Sequence, residues 1–241
     1  MNAAASAARS SPKTSASFAS DVRISGTFVE GIVNVCAIVP VRTLGEGKTR
    51  LSAVLSPHQR AALVRSMLEH VVDVLRAART VDRIVVVTTE DDLNLPEVEY
   101  IRDEGKGLNA AVELALAQVA HRFDAAIVVA GDVPHVTVAE IERLIEVGRE
   151  YDVAVVPDRR EEGTNALWLR LPSRIQPCFG VASLEAHLRT ARISGASVTA
   201  VHLPGLSHDV DVPDDLPDEP LSHDDAMRLG GRSDRCFRSA I

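Results

Sequence analysis

Along the chain, short apolar runs alternate with longer stretches of helical period. Residues 33–41 are almost entirely apolar and rich in β-branched side chains, which predicts a strand covered on both faces. Ser56, Pro57 and Gln59 then supply an N-cap, a proline in the first turn and the partner of a capping box, so a helix starts there. Val64, Met67, Leu68, Val71, Val74, Leu75 and Ala78 recur at three- and four-residue spacing, which carries that helix to about Arg79 with one apolar face. Residues 84–89 and 98–101 read as the next two strands, 110–121 as an alanine-rich helix and 125–130 as a fourth strand. Thr137 and Glu140 form a second capping box, opening a helix to about Glu150.

The second half is less regular. Residues 153–156 and 166–171 read as strands, separated by a charged loop and by Gly163-Thr164-Asn165. A helix is expected after Phe179-Gly180-Val181-Ala182-Ser183, ending near Ile193, and a last strand over 198–203. Three rounds of strand, loop and helix predict an α/β fold: a mainly parallel central sheet flanked by helices, Rossmann-like in its layering. Residues 1–31 are rich in Ala and Ser without a period, and residues 217–241 are polar and patternless. Both are expected to be loose tails around a single domain, 32–216.

Candidate chemistry collects where strands end. Open α/β sheets bind ligands beyond the carboxyl ends of their strands. After Pro40 and Val41 come Arg42, Gly45, Gly47, Lys48 and Arg50, two glycines and three cations suited to phosphate oxygens. The loop matches neither a P-loop nor a dinucleotide fingerprint, so an ordinary surface turn stays open beside the functional reading. Gly107-Leu108-Asn109 stands between a strand and a helix, where free N–H groups can meet an anion; a plain turn with Asn109 as N-cap fits as well. Asp132 follows Gly131 at the end of the fourth strand, and Asp209 and Asp211 alternate along an extended segment. Together they suit magnesium, which is held by few carboxylates plus water and phosphate, although a turn and a solvated acidic loop would look the same. His187 falls on a helix and reads as structural. There is no zinc-protease or serine-elbow motif.

Composition narrows the classes. Of 241 residues, 46% are hydrophobic, which is enough for one substantial core. A formal charge of −8 with only 3% aromatic residues argues against a nucleic-acid surface. Cys36, Cys178 and Cys236 are far apart and odd in number, which suggests neither a disulfide framework nor a zinc site and points to a reducing, cytoplasmic setting. No apolar run is long enough to span a membrane, so a soluble protein is expected.

The ordered set Pro40-Val41-Arg42 with Lys48 to Leu51, Gly107-Leu108-Asn109, Gly131-Asp132-Val133-Pro134, Gly163 to Leu167, Phe179-Gly180 with Ser183, and Asp209-Val210-Asp211 with Pro213 and Asp215-Leu216 resembles the 2-phospho-L-lactate guanylyltransferase family. The resemblance implies a nucleotide-diphospho-sugar-transferase-like fold and magnesium-dependent transfer of GMP from GTP to a phosphorylated three-carbon acid. That acid would be 2-phospho-L-lactate, phosphoenolpyruvate or 3-phospho-D-glycerate, on the way to the deazaflavin coenzyme F-420, with a possible downstream transferase taking the unstable product. It also implies roles: Asp132, Asp209 and Asp211 for the metal; Val41, Lys48, Arg50, Gly107, Leu108 and Asn109 for the nucleotide; Arg42, Thr164, Gly180 and Ser183 for the acceptor. Arg42, Lys48 and Asp132 would be catalytic. The family commonly has Lys where Arg42 stands and Pro-Gly-Ser-Phe where Val181-Ala182-Ser183-Leu184 stands. Those departures lead us to expect 3-phospho-D-glycerate, whose extra polar groups could engage the planar fork of Arg42. A molybdopterin- or sugar-type nucleotidyltransferase, a glycosyltransferase and a non-catalytic nucleotide-binding regulator stay open as rivals.

Overall fold

The computed structural model describes residues 33–41, 44 and 48–216. The two expected tails, and Arg42, Gly45 and Gly47, lie outside the described residues. The apolar runs become seven strands, β1 (Val35–Val41), β2 (Arg83–Thr88), β3 (Glu99–Arg102), β4 (Ala125–Val129), β5 (Val153–Pro157), β6 (Thr164–Arg170) and β7 (Val198–Ala200). The helical periods become α1 (Pro57–Ala77), α2 (Leu108–Val119), α3 (Val138–Gly148) and α4 (Ser183–Ile193). Both expected capping boxes form: Ser56 with Gln59 starts α1, and Thr137 with Glu140 starts α3.

The strands make one sheet in the order β3-β2-β1-β4-β6-β5-β7. All neighbours are parallel except β6, which runs against both β4 and β5. Alternate residues of each strand feed two cores. Val35, Ala37 and Val39 of β1 meet Leu68 and Val71 of α1 and Ile141 and Leu144 of α3 on one face. Cys36 and Ile38 meet Val112 and Ala115 of α2 and Ala191 of α4 on the other. Both faces are covered, which is why the strands read as continuous apolar runs rather than alternating ones. Trp168 of β6 is fully buried and lies over Gly148, where a Cβ would stand 2.3 Å from its ring.

Among the boundaries that differ from the sequence reading, three have a clear physical reason. Thr164 and Asn165 belong to β6 instead of a preceding loop, because β6 pairs with Pro157 of β5 from its first residue. The last strand stops at Ala200; Val201 donates one more bond to Val155, while Leu203 and Leu206 leave the ladder to fill the core. Asn109 is not an N-cap: Gly107 caps α2 at φ 100, a backbone conformation open to glycine. Among the described residues, no helix is long and apolar enough to cross a membrane, and Cys36 and Cys178 are free thiols.

Candidate active site

Parallel strands bring their carboxyl ends to one edge, and the loops that leave them build a cleft of about 820 Å³. Val41 ends β1 and lines it; Gly107 and Leu108 bring the start of α2; Asp132 follows β4. Because β6 is antiparallel, its first residues, Thr164 and Asn165, arrive at the same edge, and Ala130 N–H donates to Asn165 O at 2.8 Å. Phe179 completes the far wall.

The charged end is assembled by a small apolar cluster. Lys48 has the left-handed φ of 55 and leads into a 3-10 turn, Thr49–Ala53. Leu51 of that turn and Leu55 just after it pack on Met67 of α1 and on Val210. Val210 is the residue between Asp209 and Asp211, so burying it anchors the segment by its apolar member. This segment has no regular secondary structure. It is held by Val210 N–H donating to Asp132 O at 3.2 Å, and by Asp215, whose Oδ2 accepts from the N–H groups of Asp211 and Val212 at 2.9 Å each. Arg159 pairs with the same Asp215 carboxylate. Those bonds hold the Asp215 carboxyl below the usual range although burial works the other way.

Lys48 Nζ bridges two of the carboxylates. It donates to Asp132 and, at 2.6 Å, to Asp211 Oδ1, with its side chain only 8% exposed. Burial pulls its pKa down, but the attraction of Asp132 and Asp211 outweighs that, and the ammonium is held above its ordinary value. Asp209 accepts from Asn165 Nδ2 at 3.2 Å. Its carboxyl is pushed above the usual range by burial, opposed by the Asn165 bond and reinforced by Asp132 and Asp211. Three neighbouring oxygen donors of this kind are chemically suited to a hard divalent cation. As arranged, no group of three or more His, Cys, Asp or Glu side chains is gathered tightly enough to hold one among the described residues, and the Lys48 ammonium supplies the positive charge between Asp132 and Asp211. Arg50 is mostly exposed and only 3.9 Å from Asp211, a loose surface pair.

The neutral end is built from side chains bonded to backbone. Asn109, expected to touch the nucleotide, instead grips Phe179: its Oδ1 accepts from Phe179 N–H at 2.7 Å and its Nδ2 donates to Phe179 O at 3.0 Å. Thr164 lines the cleft and contacts the buried His187 at 3.1 Å. Gly180, at φ 128, is exposed, and Ser183 is buried in the first turn of α4; neither is part of the cleft wall. Ala182 has the left-handed φ of 54, a conformation that costs a non-glycine residue roughly 1 kcal/mol or more. Of the residues expected at the site, Val41, Lys48, Gly107, Leu108, Asp132, Thr164, Asp209 and Asp211 line this one cleft. It missed the parts played by Asn165, Phe179, Asp215 and His187. Asn165, Phe179 and Asp215 stood in the quoted motifs, whereas His187 left no signal beyond a helical position.

The chain is similar to known proteins in sequence and in fold. The family model described as Guanylyl transferase CofC like matches residues 35–227. A phosphoenolpyruvate guanylyltransferase of Sphaerobacter thermophilus is 36% identical over 185 residues, covering 75% of this chain and 89% of the relative. A 2-phospho-L-lactate guanylyltransferase of Methanothermobacter thermautotrophicus is 36% identical over 193 residues, covering 76% and 83%. Among solved structures, a protein assigned as a nucleotide-diphospho-sugar transferase from Desulfovibrio desulfuricans superposes with a TM-score of 0.60 at 18% identity, covering 74% of this chain and 82% of that one. The 4-diphosphocytidyl-2C-methyl-D-erythritol synthase of Anaerococcus prevotii gives 0.53 at 11%, covering 76% and 93%. The structures establish a nucleotidyltransferase-like fold, and the family match, with these relatives, places the chain in the CofC-like guanylyl transferase family.

Proposed function

We propose that this protein transfers GMP from GTP to the phosphate of a phosphorylated three-carbon acid and releases pyrophosphate. The observation that carries the reading is the convergence of Lys48 with Asp132, Asp209 and Asp211 in one cleft with the N-terminus of α2. The names of the relatives support the nucleotide and the acid class.

In the proposed reaction an oxygen of the acid's phosphate bonds to the α-phosphorus of GTP, and the bond from that phosphorus to the bridging oxygen breaks. A phosphate monoester with a second pKa near 6 is largely dianionic at neutral pH, so the nucleophile needs no general base. The chain's work is positioning and charge neutralisation. Lys48 would exchange a carboxylate for a phosphate oxygen, and the N-terminus of α2, where no side chain accepts from the N–H groups, would present them to the triphosphate. With Lys48 drawn away to the phosphates, Asp132, Asp209 and Asp211 would be freed to hold magnesium, which when bound would neutralise charge developing on the phosphates. Thr164 would meet the acid at the opposite end. The product would serve deazaflavin coenzyme F-420 construction through a downstream transferase.

Phosphoenolpyruvate and 2-phospho-L-lactate, the acids in the relatives' names, lead the candidates. The expectation of 3-phospho-D-glycerate rests on Arg42 and forms the third arm of the test. Purified protein with GTP and magnesium should release pyrophosphate with at least one of the three acids, and mass spectrometry should find the guanylylated acid. Silence with all three, or nucleotide-sugar turnover without pyrophosphate, would overturn the reading.

A further inference from the structure

His187 has no part in the reaction just described, yet both of its ring nitrogens are engaged and the residue is wholly buried. Nε2 lies 2.8 Å from the backbone nitrogen of Cys178, a group that can only donate. Nε2 therefore carries a lone pair. Burial keeps the ring neutral over the working range, with a pKa of about 4, so its single proton sits on Nδ1. A backbone bond with Ser183 raises the ring's proton affinity, as a carbonyl accepting from the imidazole does. That one Nδ1 proton serves both the Ser183 backbone bond and the 3.1 Å contact with Thr164 Oγ1, and because a protonated Nδ1 has no lone pair the hydroxyl can only accept there.

A threonine hydroxyl has one hydrogen. With its oxygen already accepting from His187, that hydrogen is free to be given elsewhere, and Thr164 borders the cleft. We propose that His187 is a positioning residue that fixes the Thr164 hydroxyl as a hydrogen-bond donor into the cleft, where it recognises an anionic oxygen of the acid. This rests on the reading of Thr164 as part of the acceptor site. The imidazole does a second job at the same time: it holds Cys178 while Asn109, on the first turn of α2, holds Phe179. One short segment thereby ties α4 to the first turn of α2.

The polarity is read directly by 15N NMR of the full-length, unaltered protein. His187 should show a protonated Nδ1 and an unprotonated Nε2 between pH 6 and 8 (about the working range), and the opposite tautomer would overturn the inference. Kinetics supply the consequence. His187→Leu should raise KM for the acid about ten- to a hundredfold, the scale of a lost bond to a charged group, with KM for GTP little changed. His187→Asn, whose amide can stand in for the Nδ1 donor, should recover part of the loss. Thr164→Val should match His187→Leu, and the double variant should be no worse than Thr164→Val alone. Additive losses, or a rise confined to KM for GTP, would sink the proposal. Turnover by the unaltered protein tests the proposed function separately, and the ring tautomer stands or falls without it.

Discussion

The two ends of the cleft hold themselves together by opposite means. At one end a buried ammonium and neighbouring carboxylates balance each other, and Asp209 is left partly uncompensated, with burial, Asp132 and Asp211 all working against its charge. At the other, Thr164, His187, Asn109 and the backbone of Cys178 and Phe179 meet through neutral hydrogen bonds. A charged cluster can trade partners when phosphates and a cation arrive; a neutral network with its polar groups bonded keeps one shape. In the proposed reaction the contrast gives adaptability to the end that would take the nucleotide and preorganisation to the end that would take the acid.

The strongest way to break this contrast is to remove charge where it is traded. Asp132→Asn should lower kcat by about a thousandfold, the scale of losing one preorganised electrostatic partner, with the melting curve retained. Pyrophosphate release at ordinary magnesium decides it, and near-normal turnover would move the reaction away from Asp132. Lys48→Ala should weaken GTP binding by about a hundredfold in calorimetry, since the triphosphate loses its buried cation. Unchanged affinity would return that loop to a structural role.

The neutral end has its own signature in pH. His187 has a folded pKa of about 4 against an ordinary 6.5. A depressed value means that the unfolded chain takes up the proton first, so the stability is complete above about 6.5 and is lost as pH falls toward 4. The difference is worth about 3 kcal/mol, and His187→Leu should flatten that part of the urea-stability profile. Asp209→Asn should act in the other direction at neutral pH. Removing a buried, repelled carboxylate should raise Tm by about 2 to 4 °C, roughly 1 kcal/mol, while turnover falls. Lower thermal stability in that variant would show the charged end to be relaxed. The smallest effect is expected at Arg50, whose exposed pair with Asp211 should contribute less than about 0.5 kcal/mol on Arg50→Ala by chemical denaturation.

From the order of residues alone the layered α/β architecture was readable, because period 2 and period 3.6 are local properties and the capping boxes at Ser56 and Thr137 are contained within four residues. The family resemblance and eight of the residues that line the cleft were readable too, since chemistry follows strand ends. Tertiary structure alone decided the rest. The reversal of β6 depends on its pairing with β4 and β5, and that reversal is what brings Thr164 and Asn165 to the edge of Asp132. Lys48 meets Asp211 across most of the chain because Leu51, Met67 and Val210 share one apolar cluster. Asn109 and His187 looked like a candidate ligand contact and an ordinary helix residue. Only when α2, β6 and α4 are packed together do their hydrogen bonds have somewhere to go, and a buried polar group takes its role from the partner it finds.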